Sequence, residues 1–540
     1  MKLFRILIIT ALSLPFITQA QFVYQPVSTT VYDFVDELAN LKLIEVNSAI
    51  KPYSRERISE WLHAVQDSLT HELNRRQRQE LEYYLRDFGK ETHVGKDWNR
   101  RWDLFYHSDS TFKVTVNPLG GGMGWLNENG LVFQRTIGGE AWATFGKNLG
   151  AYVRLRDSGV NEILSAHHHL TVLPGQNFKY NQGEFIGGQR SDFSEIMAGI
   201  HYSWNWGSIG LVKDRPQWGN TYRHANILSG RAPSFVYLDF KLNPVHWFEF
   251  NYIHGWLVSE EIDSARTYLT PHGQRQVFMN KNIAINMFTI KPVKNLFVSV
   301  GNSMIYSETG LQPLYFIPFM FFRAVDHTYS GAGSSQVGQN AQMFADISVR
   351  SLKKIHWYAT WFLDELSIRN LTDSEMHTNI WSIKTGARYS NILPNLDVTA
   401  EYTRTYPWTY RHQIASTTYE SNRYNLGHYL GENGQELYAE ISYRPIRRFR
   451  TSLYSVWAEK GPAHVYDIVF GNANVMGLEF MEFVDWKSWE IGLRVDYEVV
   501  HDARLFLSGV YRNVSGNDHY AHPFLMGETV TIQAGAYFGF

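Results

Sequence analysis

Two periodicities divide the chain. Between residues 30 and 90 apolar side chains recur at helical spacing: Tyr32, Val35, Leu38 and Leu41, then Ile58, Trp61, Leu62 and Val65, then Leu81, Tyr84, Leu85 and Phe88. Each set lines one face of a helix, as a 3.6-residue turn requires. Pro52-Tyr53-Ser54 breaks the run and offers Ser54 as an N-cap, and Asn74 offers a second cap. The pattern predicts three short amphipathic helices, each of which must bury its stripe on another or on something larger. We assign them to a small helical subdomain over residues 21–100.

From about residue 103 the period becomes two. Leu396, Val398, Ala400 and Tyr402 alternate with Asp397, Thr399, Glu401 and Thr403. Leu437, Ala439, Ile441 and Tyr443 alternate with Tyr438, Glu440, Ser442 and Arg444. Trp489, Ile491, Leu493, Val495 and Tyr497 alternate with Glu490, Gly492, Arg494, Asp496 and Glu498. One face of such strands tolerates lipid and the other needs water or partners. A soluble sandwich alternates too, so the connections have to decide.

They do so by length. Short links at Lys147-Asn148, Asn243-Pro244, Pro292-Val293, Leu352-Lys353, Pro445-Ile446 and His501-Asp502 take turns with long stretches at 158–192, 215–233, 259–279, 307–339, 407–434 and 461–486. Short periplasmic turns and long extracellular loops alternate in this way in outer-membrane barrels. The expected fold is an all-β transmembrane barrel of about 18 antiparallel strands over residues 101–540, with the helical subdomain on the periplasmic side. The last strand, Thr529 to Phe540, alternates and ends on an aromatic, a pattern similar to the signal read by the barrel-assembly machinery.

Composition agrees with this. Of 540 residues, 15% are aromatic, and the mean hydropathy is −0.30, so aromatics abound without long apolar runs. Met1 to Ala20 reads as a signal peptide, with Lys2 and Arg5 before the apolar Ile6 to Leu14 and Thr18-Gln19-Ala20 as a cleavage site. No later stretch reaches the ~18 apolar residues of a membrane helix. Losing those two cations takes the formal charge from −2 to −4, which does not mark a nucleic-acid binder. With no cysteine, disulfides, thiolate metal sites and an N-terminal lipoprotein anchor are excluded.

Lys213-Asp214-Arg215-Pro216-Gln217-Trp218-Gly219-Asn220, continuing through Ala225-Asn226-Ile227-Leu228-Ser229-Gly230-Arg231-Ala232-Pro233, resembles the Wzi family of capsule-assembly proteins. That family shows an aspartate, a Trp-Gly pair and a leucine-serine-x-x-alanine-arginine-proline-like stretch, which Ser229-Gly230-Arg231-Ala232-Pro233 permutes. Tyr32-Asp33-Phe34-Val35-Asp36-Glu37-Leu38 and Lys51-Pro52-Tyr53-Ser54-Arg55 are similar to the family's helical lead-in, including that of its gliding-motility branch. The resemblance implies a lectin-like, non-catalytic barrel that holds exported polysaccharide at the cell surface.

Sugar binding needs aromatic faces for stacking and planar polar groups for hydroxyls. Trp218, Tyr222, Arg223 and Arg231 lie in one long loop and supply both. The competing reading is that Trp218 and Arg231 brace the loop against the wall. Leu311 to Tyr329 is too apolar for a free loop, and we expect it to fold inward as a constriction; packing on neighbouring loops or on a membrane partner are the alternatives. His167-His168-His169 reads as a surface run, since three consecutive histidines cannot converge on one ion. Gly331-Ala332-Gly333 lacks the strand–helix context of a phosphate loop. Glu260-Glu261 says nothing of the facing carboxylates that glycoside hydrolysis needs. Lumen-facing Asp397, Glu401, Asp496 and Glu498 are expected to pair with Arg404, Arg444 and Arg494 in a network that fills the lumen.

The sequence therefore predicts a non-enzymatic outer-membrane protein without cofactor or metal. Its expected partners are exported polysaccharide, outer-membrane lipid and, through Phe540, the barrel-assembly machinery, but no nucleic acid. A porin or glycan-uptake channel and a gliding-motility or adhesion component are the alternatives.

Overall fold

A computed structural model describes residues 23–95, 98–185, 188–307, 310–325, 339–365, 380–464 and 478–539. The period-two region forms one closed antiparallel barrel of 18 strands. The first six are β1 Phe112–Asn127, β2 Gly130–Phe145, β3 Leu149–Val160, β4 Gly188–Trp204, β5 Gly207–Asp214 and β6 Phe235–Val245. Then come β7 Phe248–Leu257, β8 Lys281–Val293, β9 Leu296–Ser307, β10 Asn340–Val349, β11 Ile355–Glu365 and β12 Ile380–Leu393. The wall ends with β13 Leu396–Thr405, β14 Gly434–Tyr443, β15 Phe449–Lys460, β16 Trp486–Val500, β17 Ala503–Gly516 and β18 Gly527–Phe538. The signal-peptide segment Met1–Ala20, Gly331-Ala332-Gly333 and Phe540 lie outside the described residues.

Alternation sorts the side chains as expected. Ile137, Ile200, Val300, Leu437, Leu493 and Val530 are exposed on the outside, while Thr399, Glu401, Glu436 and Thr531 are buried inside. Exposed Trp206, Trp247, Trp357 and Tyr443 ring the short-turn mouth, and Trp361, Trp457 and Trp489 stand toward the other. An apolar outer belt between aromatic girdles is the surface a bilayer requires, and a closed wall leaves no unpaired edge in it. The chain is an outer-membrane β-barrel.

Four of the expected turns fall in short links, and two are displaced. Asn243-Pro244 and Pro292-Val293 lie inside β6 and β8, and the chain reverses at 246–247 and 294–295. The ladder shifts register between Leu242 and Val245 and between Ile290 and Val293, so each proline sits where no regular ladder bond is asked of it. Asn295 and Asn395 take left-handed φ values of 63° and 68° at their turns, which asparagine tolerates well.

The barrel closes on β1 in two pieces. β18 pairs with Gly120–Leu126, and the short strand Phe105–Ser108 pairs with Lys113–Val116 on the same edge. Pro118 falls in the gap between them. At Gly121 the approach is so close that a Cβ would lie 2.4 Å from the Ala536 carbonyl oxygen.

The predicted helices are α1 Val31–Asn40, α2 Arg55–Ser68 and α3 Arg75–Phe88. Ser54 caps α2 by accepting from Arg57 N, and Asn74 forms a capping box with Gln77. The stripes meet in one core that includes Val35, Leu38, Ile58, Leu62, Val65, Leu81 and Phe88. Helices of 10 to 14 residues are marginal alone. Burial contributes about 1.5–3 kcal/mol per large apolar side chain, so packing decides.

This unit sits in the short-turn mouth. The acidic edge of α1 enters the barrel and meets wall arginines: Asp33 with Arg450 at 2.6 Å, Asp36 with Arg350 at 2.9 Å and Arg388 at 3.4 Å, Glu37 with Arg444 at 3.0 Å. Arg444 also holds Asp397 at 2.6 Å, and Arg494 holds Asp496 at 2.7 Å, as expected of them. Glu401 takes Lys384 at 3.1 Å, and Glu498 accepts from Thr30 and Tyr83. Arg404 corrects the expectation. It shares the outward parity of Leu396 and Tyr402, and its guanidinium stacks on Tyr406 at 4.8 Å.

The apolar stretch from Leu311 is a second correction. Up to Val325 it packs on outward-facing side chains of β7, β8 and β9, not in the lumen; residues 326–329 are outside the described set. The lumen face of these strands is already covered by the N-terminal segment and the 215–234 loop around Trp218, whereas the outer face is free to receive an apolar segment.

Glu37, 1% exposed, is the centre of the α1 contact. Burial raises its pKa, and Arg444 and Arg76 more than reverse this, leaving about 2 against an ordinary 4.5. A carboxylate held low stabilises the docked state above its unfolded pKa and loses that contribution as pH falls toward the folded one. Hydrogen-exchange protection of α1 in detergent should therefore decline between about pH 5 and pH 2, and Glu37→Gln should lower it already at pH 7. Protection that stays constant down to pH 2 would reject this docking.

Candidate functional site in the barrel lumen

The loop 215–234 leaves the top of β5 and turns back into the barrel. Its start is fixed by Arg215, which pairs with Glu195 at 2.6 Å and donates to the carbonyls of Gly175, Arg231 and Ala232. Gln217–Trp218 then pairs antiparallel with Ile50–Lys51 on one side and Leu228–Ser229 on the other. A three-stranded sheet thus forms inside the lumen from the N-terminal segment and the loop. Trp218 is 1% exposed at its centre and meets Phe344 edge-on at 6.5 Å.

Beyond Trp218 the loop meets a row of wall carboxylates. Asn220 donates to Asp346 through its backbone N–H at 3.1 Å and its side chain at 2.5 Å. Glu401 accepts from the backbone N–H groups of Tyr222 at 2.6 Å and Arg223 at 3.1 Å, and from the Tyr358 hydroxyl. Arg223 pairs with Glu436 at 3.0 Å, and Glu436 also accepts from the Tyr429 hydroxyl at 2.6 Å. Asp346, Glu401 and Glu436 come from β10, β13 and β14 and are all buried. A buried carboxylate needs an ion pair or hydrogen bonds: Glu401 pairs with Lys384 and Glu436 with Arg223, while Asp346 is held by hydrogen bonds from Asn220 and Thr360.

Tyr222 reaches the helical unit. Its hydroxyl lies 3.0 Å from Asp36 and 2.7 Å from His356, and the Arg388 guanidinium covers its ring at 3.7 Å. Burial, then the Asp36 charge, hold this hydroxyl well above the ordinary tyrosine pKa, so it remains a donor. Arg231 lies at the other end of the loop. It donates to the His169 carbonyl at 2.7 Å and lies over Tyr424 at 5.2 Å; burial brings its pKa down to about 10, still charged at neutral pH.

The four residues singled out in the sequence are therefore divided. Trp218 and Arg231 are packed and brace the loop. Tyr222 and Arg223 line space: both border a cavity of about 240 Å³ beside Asp33, Asp36, Arg388 and Arg450. Arg223 also borders an upper chamber of about 200 Å³. That chamber carries Trp125, Tyr429, Tyr454 and Trp486 among Arg512, Glu490 and Gln533. Aromatic rings beside planar donors and acceptors can stack on a polyhydroxylated ring and bond its hydroxyls. None of these chamber residues was singled out in the sequence, although strand parity marks Glu490 and Arg512 as inward.

Two loops roof the chamber. Leu170 N donates to the Tyr520 carbonyl at 2.8 Å, His168 stacks on His519 at 4.6 Å, and Glu162 pairs with His522 at 3.3 Å. The histidine run is thus partly enclosed, with His169 buried, and no metal-binding cluster occurs among the described residues. Glu260 pairs with Arg423 at 3.4 Å, a contact between two loops.

No family model matches the chain, and no curated protein does. Among solved structures it is similar to Wzi, an outer-membrane protein involved in group 1 capsule assembly in Escherichia coli and a carbohydrate-binding β-barrel. The identity is 14%, the alignment covers 96% of this chain and 100% of that one, and the TM-score is 0.57. OccK8 (OprE) of Pseudomonas aeruginosa aligns over 79% of this chain and 97% of its own at 8% identity and TM-score 0.42. OccAB2 of Acinetobacter baumannii does so over 79% and 97% at 7% and 0.44. The likeness to Wzi establishes a shared fold along almost the whole chain.

Because Trp218 is enclosed, Trp218→Ala should cost about 3–5 kcal/mol of plug stability through the cavity it leaves. The expected readout is faster proteolysis of the 215–234 loop at a preserved barrel band on unheated gels. Wild-type proteolysis of the variant would show that the indole does not hold the loop.

Proposed function

We propose that this barrel binds exported polysaccharide at the cell surface and helps assemble or anchor capsule or slime there. The observation that supports this most is the filled lumen. The N-terminal segment enters from one mouth, the 215–234 loop from the other, and they join in one small sheet around Trp218. Such a barrel is built to hold loops in place, and its aromatic upper chamber has the chemistry of a sugar site. Capsule assembly and carbohydrate binding by Wzi, whose fold the chain shares, support the same reading.

In this reading Tyr222 and Arg223 offer a ring and a guanidinium to sugar, while Trp218 and Arg231 hold their loop in place. Many weak contacts along a repeating polymer give retention by avidity without a tight single site. No bond is made or broken. Delivery of the chain to the membrane fits recognition of β18 and Phe540 by the barrel-assembly machinery.

A transport reading draws on one observation. The 240 Å³ cavity shares Tyr32, Asp33 and Arg450 with a cavity of about 320 Å³ at the short-turn mouth, and Arg223 with the upper chamber. A narrow side passage along β14 to β17 would conduct small solutes.

The deciding measurement is surface polysaccharide in a deletion strain, divided into cell-attached and released fractions. Anchoring predicts an unchanged total with a shift into the medium, reproduced in part by the Tyr222→Ala, Arg223→Ala double variant in an assembled barrel. An unchanged division rejects anchoring. Planar-bilayer conductance then tests transport, and colony spreading tests a motility or adhesion role.

A further inference from the structure

The segment Leu311–Val325 follows β9 and folds back over the outer wall. Alternation places Phe250, Tyr252 and His254 of β7, Ala284, Asn286 and Phe288 of β8, and Asn302, Met304 and Tyr306 of β9 on the outside. Their neighbour Val300 is 54% exposed there. Yet Phe250, His254, Ala284, Asn286, Met304 and Tyr306 are 0% exposed, because the segment lies on them. Phe316 stacks on His254 at 3.9 Å, and Phe319 lies 4.5 Å from Phe250.

Irregular backbone at membrane depth is tolerated only when its polar groups are satisfied by protein. Here they are. Asn286 donates to the carbonyls of Pro318 at 2.8 Å and Met320 at 3.0 Å. Asn302 accepts from Phe322 N at 2.9 Å, and Tyr252 donates to the Tyr315 carbonyl at 2.7 Å. Pro313 and Pro318 have no N–H to satisfy. Two asparagines facing outward on a lipid-exposed wall would be a liability, but as partners of this backbone they are accounted for. What the segment presents outward is apolar: Leu311 52%, Ile317 43%, Phe319 53% and Phe321 47% exposed. This surface continues the belt represented by Val300.

We propose that residues 311–325 form a lipid-inserted strap, an extracellular connection that wraps the outside of β7–β9 and docks its Ile317, Phe319 and Phe321 side chains into the acyl chains of the membrane. Phe319 contacts Phe288, seven residues below the upper end of β8. At about 3.3 Å per residue along a tilted strand, that places it well inside the hydrocarbon layer. Exposed Arg323 supplies a cation that can meet a lipid phosphate.

The absence of cysteine makes the test direct. Phe319→Cys and Ile317→Cys are labelled separately with a nitroxide in proteoliposomes, with Val300→Cys as the belt reference and Leu269→Cys, in an 82% exposed loop position, as the water reference. The expected result is several-fold greater relaxation by oxygen than by a water-soluble nickel chelate at both strap positions, as at Val300. Greater relaxation by nickel, as at Leu269, overturns the proposal. Protection from both reagents also overturns it, and assigns the surface to a protein partner or a second copy. Two separate strap positions keep the test valid where one variant fails to assemble.

Discussion

The ion contact between α1 and the barrel wall is what the rest of the structure depends on. Arg350, Arg388 and Arg444 point into a lumen where they are almost completely shielded, and Asp33, Asp36 and Glu37 arrive from a different part of the chain to meet them. Removing one side of such a contact leaves charge in low dielectric, which is far costlier than the net worth of the pair. Barrel and helical unit are thus complementary parts of one electrostatic arrangement. The same contact positions Asn40, which accepts from Arg350 at 2.8 Å, and Asp36, which meets Tyr222. The 215–234 loop is in this way registered against the helices as well as against the wall.

Charge also explains why the lumen loop is ordered between its two short sheet strands. Backbone N–H groups of Asn220, Tyr222 and Arg223 bond to carboxylates from two strands, and Glu436 of a third holds the Arg223 side chain, so the wall acts as a template. A loop held this way keeps Tyr222 and Arg223 at fixed depth beside the cavities. Preorganisation of that kind lowers the ordering cost of a weak ligand contact.

Much of the fold was legible because it rests on local periodicity. Ser54 and Asn74 cap the helices they were expected to cap, and the parity of β13 or β16 assigns each side chain to lipid or lumen. Arg404 follows the outward parity of its own strand and stacks on Tyr406 instead of meeting the inward acids. The turns at Pro244 and Pro292 were displaced because proline also marks ladder irregularities inside strands. What could not be read were contacts between distant segments. Nothing near Asp346 in sequence announces Asn220, and nothing near Leu311 tells inside from outside. Asn286 and Asn302, at outward parity in otherwise apolar runs, were the available hint that something covers that wall.

The seam on β1 has a consequence for how the cylinder fits together. A wall of paired strands can in principle slip, since a shift by two residues preserves which face each side chain occupies. Here the last strand is aligned against Gly120–Leu126, where the absent side chain at Gly121 admits its backbone. Immediately below stand Pro118, which offers no donor, and Phe105–Ser108, which already occupies the edge. Slippage toward the short-turn mouth is blocked on both counts. The proline and the short strand act as an end-stop, so the circumference and stagger of the wall are set at one place in the chain.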